Sequence, residues 1–286
     1  MFGVVVFLAP VLILYGAYFI YPLVYVFSTS LFETNGVTSE FVGLANFADD
    51  FANPTFRLSI RNNFIWVVSL GFGQVGLALV VAMILARQPR GWRFLRTVYF
   101  LPNVISQVAL AMMWAALYNA EYGAINQFLE LIGMEEATRN WLGSLETALP
   151  AVLLQQVFYI GYFMIILLAA TMSIPQSFYE AAEIDGASVL QQEFYITLPM
   201  IRDILVTAMT LAMAYGLRHF ESTFLLTGGG PANITSVLGI QLHRRLGFLD
   251  YGGANAIGVV LIVLGVLLIV TIRTLGRRTS AADQVQ

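Results

Sequence analysis

Six stretches of apolar sequence, 3–29, 60–86, 97–119, 148–173, 200–224 and 254–275, are each long enough to cross a lipid bilayer. A hydrocarbon core about 30 Å thick needs about 20 apolar residues per helix. In lipid, each backbone amide must find its hydrogen-bond partner within the protein, and a long apolar run meets that demand as a helix. Composition agrees with this reading. The chain of 286 residues is 58% hydrophobic and 11% charged, and its mean hydropathy is +0.77. A soluble domain carries roughly 25% charged residues, enough to coat its surface with water-facing groups. Less than half that density predicts lipid over much of the surface. The first stretch is too long for a secretory signal and has neither a basic leading region nor a small-residue cleavage site, so it reads as a true span. Tyr18, Tyr21 and Tyr25 near its far end fit an interfacial aromatic belt.

Several residue types are scarce or absent. With no Cys, thiolate metal sites, disulfides and Cys nucleophiles are excluded. His219 and His243 are the only histidines, too few for the usual His-rich metal site. All fourteen basic residues are Arg. A P-loop needs its Lys on the nucleotide phosphates, so this chain is not by itself a P-loop ATPase, and any use of ATP belongs to a partner. A net charge of −3 without a dense basic cluster argues against nucleic acid. Gly71-Phe72-Gly73-Gln74-Val75-Gly76 matches the dinucleotide fingerprint literally, but it lies inside an apolar span with no preceding strand. There small residues serve close helix approach.

The arginines set the orientation. Arg87, Arg90, Arg93 and Arg96 crowd the short link 87–96, and Arg273, Arg277 and Arg278 end the chain. With six spans these two regions share a side, which the positive-inside rule makes cytoplasmic. The acidic link 30–59, with Glu33, Glu40, Asp49 and Asp50, and the acid-rich link 120–147 then face outward. Arg244 and Arg245 fall on the outer side and run against the rule. Both termini, and the loop 174–199, are predicted inside. No second domain or low-complexity tract is visible, so residues 1–286 read as one transmembrane domain.

Loop 174–199 is too polar to be buried in lipid, yet it is patterned as two short helices. Pro175 suits a first helical turn, Gly186 the position after a helix end, and Ser188 with Gln191 a capping box; Pro199 should close the second helix. Two capped helices suit a rigid docking element, although a structured connector has the same pattern. Glu180-Ala181-Ala182, Asp185-Gly186-Ala187 and then Ile196, Leu198 and Pro199 resemble the EAA motif of binding-protein-dependent ABC importer permeases. The match runs over about twenty residues and lies before the last two spans, as it does in that family. Leu225-Leu226-Thr227-Gly228-Gly229-Gly230-Pro231 is similar to a segment of the carbohydrate-type permeases. Tyr21-Pro22, Gly43-Leu44-Ala45-Asn46-Phe47, Leu101-Pro102 and Tyr122-Gly123-Ala124-Ile125-Asn126 fit the same group in order.

The resemblance implies an all-α integral membrane fold, the six-transmembrane-helix core of a type I ABC importer permease, with cytoplasmic coupling helices. It implies that the loop docks in a cleft of an ATPase subunit. Glu180 would pair with a basic group there, Ala181 and Ala182 would permit close packing, and Gly186 would allow the sharp bend. The expected assembly is this chain with a second, homologous permease, two ATPase subunits that bind ATP and Mg, and an external solute-binding protein. It would sit in a bacterial or archaeal cytoplasmic membrane. No cofactor is expected in this chain, and its role is transport, not catalysis.

Polar groups inside spans are costly and face either a cavity or another helix. Asn103 with Gln107, and Gln155 with Tyr159, are one helical turn apart, and Gly216 with His219 also share a face, with Tyr215 adjacent. By resemblance to the maltose transporter's larger permease, these positions lie near the sugar; the alternative is interhelical hydrogen bonding, worth about 0.6 kcal/mol per bond. Arg218 and Glu221 are the charges well inside a predicted span. Three apart, they either neutralise each other along the helix or gate and contact solute. The expected solute is a sugar, with glycerol phosphate or another small polar solute as the alternative. A secondary transporter or channel would leave the EAA-like loop unexplained.

Overall fold

The computed structural model describes residues 2–282, with side chains from 7 to 274. The termini at 1 and 283–286, whose side the sequence assigned, lie outside the described residues, as do the side chains of Arg277 and Arg278. Four helices are long and apolar enough to cross a membrane: Phe7–Thr29, Pro54–Ala86, Ala148–Met172 and Tyr251–Thr274. Two further candidates are bent pairs, Trp92–Val104 with Gln107–Leu117 at 103° and Val189–Met200 with Arg202–Leu217 at 75°. Among the described residues the total is four candidate spans, or six when each bent pair counts as one.

The expected straight spans at 97–119 and 200–224 are therefore corrected. In the first, Pro102 opens a 3-10 turn over Leu101–Val104, Ile105 is extended, and Ser106 caps a new helix by accepting from the Ala109 amide at 3.3 Å. In the second, the helix Arg202–Leu217 stops at Arg218, and a separate short helix, Glu221–Thr227, follows. The span Ala148–Met172 is itself interrupted between Val157 and Gly161. A hydropathy pattern registers such breaks poorly, because Ile105, Phe158 and Ile160 are as apolar as their neighbours and isolated polar residues such as Ser106 and Arg218 do not offset a long apolar window.

The core joins the helices Pro54–Ala86, Gly161–Met172 and Arg202–Leu217. Trp66, Leu70, Ala78 and Ala82 from the first pack with Met164 and Leu167 from the second and Ala208 and Ala212 from the third. Small residues set the spacing, as expected where no hydrophobic effect drives helices together. A Cβ on Gly216 would lie 2.9 Å from the Trp66 carbonyl oxygen, so only glycine fits that crossing. Gly71 lies against the Met213 side chain and Gly73 faces Val157, so these two glycines of the run 71–76 sit at helix contacts, whereas Gly76 has open space. The first helix is largely exposed and touches the rest through its far end, where Asn255 Nδ2 donates to Thr29 Oγ1 at 2.6 Å.

The predicted outer links fold into a cap, and one of them departs from the all-α expectation. Phe32–Thr34 and Ser39–Phe41 form an antiparallel hairpin with Glu33 opposite Glu40. Asn35 Oδ1 accepts from the Val37 and Thr38 amides across the turn, and Gly36 supplies its positive φ of 87°. Asn46 fixes the hairpin base by donating to the carbonyls of Ser30 and Phe32, each at 2.9 Å. The arginines that ran against the positive-inside rule are both engaged here. Arg245 pairs with Asp50 and Asp250, and Arg244 donates to Asn233 Oδ1 at 2.7 Å and to the Gly228 carbonyl at 3.1 Å. Burial pushes the Asp50 carboxyl above its ordinary value, and the Arg245 guanidinium pulls it back in part.

Candidate functional site

Helix irregularities in four segments border one cavity of about 350 Å³. Gln74 closes a π-helical turn, Ser69–Gln74, in the helix Pro54–Ala86. Asn103 and Gln107 flank the break at Ile105 and Ser106. Gln156, Tyr159, Tyr162 and Phe163 surround the break between Val157 and Gly161, and Leu211, Tyr215 and Arg218 come from the end of Arg202–Leu217. Unwound turns inside apolar spans are tolerated where they line a cavity, and π-turns occur often at functional sites.

The lining has a definite hydrogen-bonding character. Gln74 Nε2 donates to the carbonyls of Gln156 at 3.1 Å and Tyr159 at 2.7 Å. The Tyr159 hydroxyl donates to the Pro102 carbonyl, tying the two broken spans together. The Oε1 atoms of Gln74, Gln107 and Gln156 are all buried and have no partner. A buried amide oxygen left unpaired costs about 1–3 kcal/mol. Tyrosine and phenylalanine rings supply flat apolar surface beside them. Arg218 is exposed and brings the one charge among the lining residues.

Several expected residues stand elsewhere. Asn103 and Gln107 do not share a helix face, since a break separates them, but both reach the cavity. Gln155 does not line it: the side chain is buried on the other side of its helix, and Tyr159 lies beyond that helix's end. Neighbouring Gln156 takes the place expected of Gln155. Gly216 is the packing glycine against Trp66. His219 is buried, stacks on Trp66 with ring centroids 3.9 Å apart, and shares a hydrogen bond of 2.5 Å with Ser222 Oγ. Only Tyr215 and Arg218 of that group reach the cavity. Arg218 and Glu221 do not pair along a helix, because one ends a helix and the other begins the next, and no ion pair joins them among the described residues. The sequence reading missed Gln74, Gln156 and Tyr162. Gln74 had left a trace: it is the polar residue within the glycine run 71–76.

Loop 174–199 has the expected two-helix form. The helix Gln176–Ile184 ends in a Schellman turn: Ala187 N bonds Ala182 O at 2.9 Å, Gly186 N bonds Glu183 O at 3.1 Å, and Gly186 has φ +78°. The capping box is present, Ser188 N to Gln191 Oε1 at 2.7 Å and Gln191 N to Ser188 Oγ at 3.4 Å. Pro199 stands at the end of the second helix, as expected. It lies in the last turn, Leu198–Met200, and the bend into the next span follows at Ile201. Glu180, Ala181 and Asp185 are exposed and Ala182 half-buried, with the exposed apolar side chains of Phe178, Ile184, Val189 and Leu190 on the same loop. Ile196 and Leu198 are half-buried toward the spans. Tyr179 and Thr197 join the two halves through a hydroxyl pair at 2.9 Å. Arg87, from the basic link, donates to Glu193 Oε1 at 2.8 and 3.0 Å and to Gln192 Oε1 at 3.3 Å. A second cavity of about 450 Å³ lies beside this contact.

Residues 74–281 match the family described as binding-protein-dependent transport system inner membrane component. The chain is 35% identical over 241 residues to the probable ABC transporter permease protein YurN of Bacillus subtilis, covering 82% of each. It is 34% identical over 229 residues to the trehalose/maltose transport system permease protein MalF of Thermococcus litoralis, covering 78% of this chain and 76% of that one. Its fold is similar to a chain of a bacterial alginate ABC transporter solved with an alginate pentasaccharide-bound periplasmic protein. There the TM-score is 0.85 at 23% identity, over 97% of this chain and 95% of that one.

Proposed function

The chain belongs to the family of binding-protein-dependent transport system inner membrane components, and on that premise we propose that it forms part of the solute path of an ATP-driven sugar importer. The observation that carries the sugar reading is the lining of one cavity by amide side chains, from Gln74, Asn103, Gln107 and Gln156, beside the rings of Tyr159, Tyr162, Phe163 and Tyr215. A sugar offers hydroxyls at its edge and apolar ring faces, which match amides and aromatic rings respectively. A volume of about 350 Å³ is within the usual range for small-molecule sites. The trehalose/maltose permease among its relatives has the same solute class in its name. Asn103, Gln107, Tyr159, Tyr215 and Arg218 stand as solute-path residues, joined by Gln74 and Gln156; Gln155, Gly216, His219 and Glu221 shape the walls behind them.

In this proposal each bent pair is one span, giving six, with both termini and loop 174–199 on the cytoplasmic side of a bacterial or archaeal membrane. A second, homologous permease completes the pore. Two ATPase subunits bind ATP and Mg, and an external solute-binding protein delivers the sugar to the outer cap. Glu180, Ala181, Ala182, Asp185 and Gly186 form the face that docks on an ATPase, and Ile196, Leu198 and Pro199 lead from it into the next span. The exposed apolar residues Ile184, Val189 and Leu190 support this, since a water-facing loop has little other use for them. The test is uptake by proteoliposomes carrying the full importer, using labelled trehalose, maltose and glycerol phosphate. ATP-dependent uptake of a sugar is expected; uptake of none of the three sinks the sugar reading.

A second reading is favoured by Arg218, which faces the cavity with no carboxylate among the lining residues. It suits a solute with an anionic group, glycerol phosphate or an acidic sugar. On that reading Arg218→Gln abolishes uptake of glycerol phosphate and leaves uptake of a neutral sugar intact.

A further inference from the structure

We infer that the short helix Ala124–Leu131 lies in the membrane interface and anchors the ends of two spans by burying an apolar stripe among lipid chains. The inference rests on the membrane reading of the chain and not on the solute. Phe128, Leu131 and Ile132 follow Ala124 at i+4, i+7 and i+8, the spacing of a single helix face. All four are exposed, Leu131 by 85%, and exposed Met134 continues the stripe past the helix end. The face turned to the protein is led by a polar residue instead. Asn126 is buried there; its amide donates to the carbonyls of Ala120 at 3.2 Å and Arg139 at 3.1 Å and accepts from Trp141 Nε1 at 2.7 Å. Gln127 and Glu130 stand on the remaining side, and both are exposed. A helix with a polar group turned inward and large apolar side chains turned outward presents a surface made for lipid or a partner, not for water.

The surroundings put this helix at the membrane boundary. Gly123, just before it, sits on the end of the span that closes with Gln107–Leu117: a Cβ there would collide with the Leu117 and Asn119 carbonyl oxygens. This glycine belongs to the sequence Tyr122–Asn126, which the solute path leaves unused. Where the span ends, Trp114, Tyr118 and Trp141 form an aromatic cluster, with ring centroids 5.3 and 6.4 Å apart. Such rings gather at the membrane–water interface, and the Asn126–Trp141 bond ties the helix to them. The Tyr118 hydroxyl donates to the Ala151 carbonyl at 2.9 Å, so the same cluster holds the start of Ala148–Met172. These two spans carry Gln107 and Gln156 to the cavity, and an anchor at their ends fixes their depth in the bilayer.

Area and charge favour lipid over a protein as the occupant. The helix has eight residues and is therefore about 12 Å long. One face of it falls well short of the about 800 Å² per partner that a stable protein interface buries. Its side away from the stripe is acidic, with Glu130 on the helix and Glu135 and Glu136 just after it. The helix carries no basic residue, so apolar burial, not attraction to anionic lipid, holds it in place.

The test uses the complete importer in vesicles of phosphatidylethanolamine, with and without phosphatidylglycerol. A nitroxide is placed on a single cysteine of this chain, which has none of its own. Phe128→Cys and Leu131→Cys report on the stripe, Glu130→Cys on the acidic side, and Thr38→Cys on the hairpin turn. Collisions with molecular oxygen, which concentrates in lipid, are compared with collisions with a water-soluble nickel chelate. At Phe128 and Leu131 oxygen should dominate and place the nitroxide about 5–10 Å into the boundary between headgroups and chains, in both vesicles. At Glu130 and Thr38 the chelate should dominate. All four side chains are exposed, so a cysteine there leaves the packing undisturbed. Chelate-dominated readings at Phe128 and Leu131, whether or not added solute-binding protein then covers them, overturn the inference. Shielding from both reagents in the importer alone gives the stripe to the second permease and overturns it equally. Insertion only with phosphatidylglycerol overturns attachment by apolar burial. Failure of the sugar reading leaves each of these readouts unchanged.

Discussion

The carboxylate of Asp50 is buried in the cap beside the 32–41 hairpin, with the Arg245 guanidinium on one oxygen and no hydrogen-bond partner on the other. Burial raises its proton affinity and Arg245 opposes that rise. Arg245→Ala should therefore destabilise the protein by about 3 kcal/mol at neutral pH, since it strands a buried charge. The sign with pH follows from the raised value: a carboxyl that holds its proton more tightly when folded favours the fold at low pH and opposes it as pH rises through the folded pKa. The deficit of Arg245→Ala should thus shrink as pH falls, because protonated Asp50 no longer needs a cation. Thermal unfolding in detergent between pH 7 and pH 4 measures this, and a deficit that grows on acidification contradicts it. Beside the loop 174–199, Arg87 is half-exposed, so Arg87→Ala should cost only about 1 kcal/mol, the scale of a surface pair. A double-mutant cycle with Glu193→Gln should assign most of that to the Arg87–Glu193 contact.

Glycine positions separate two kinds of constraint at the level of elements. Gly186 has φ +78° and open space around it, so Gly186→Ala should cost about 1–2 kcal/mol through backbone strain alone. Gly161 has no strain but no room, because a Cβ would collide with the Tyr99 backbone. Gly161→Ala should therefore lower the unfolding temperature more than Gly186→Ala, and the reverse order would contradict the crossing described above. The same contrast explains what sequence could convey. Caps and left-handed turns are local, and the loop's Ser188–Gln191 box and Gly186 end were readable from a few neighbouring residues. Helix breaks inside spans are not local: Ile105 and Phe158 are as apolar as the helices they interrupt, and contacts with other spans hold them unwound. Treating 97–119 and 148–173 as continuous helices gave the Asn103–Gln107 and Gln155–Tyr159 faces, and put Gln155 where Gln156 stands. The hairpin at 32–41 was missed for a related reason, since its strands are three residues each and Asn46 holds them from outside.

Across the whole molecule, cavity and loop lie on one continuous path. The helix Arg202–Leu217 carries Tyr215 and Arg218 at one end, and at its other end is bent by 75° onto the segment Val189–Met200 of the exposed loop. In the proposed mechanism, movement of the loop as a rigid body passes along this path to a wall of the cavity, and that is the central claim for how the subunit works. It is tested by ATP-dependent uptake through the reconstituted importer carrying Glu180→Lys together with Gly186→Pro, with thermal unfolding as the control for folding. The account predicts a folded complex that no longer takes up solute when ATP is supplied; uptake equal to wild type would contradict it.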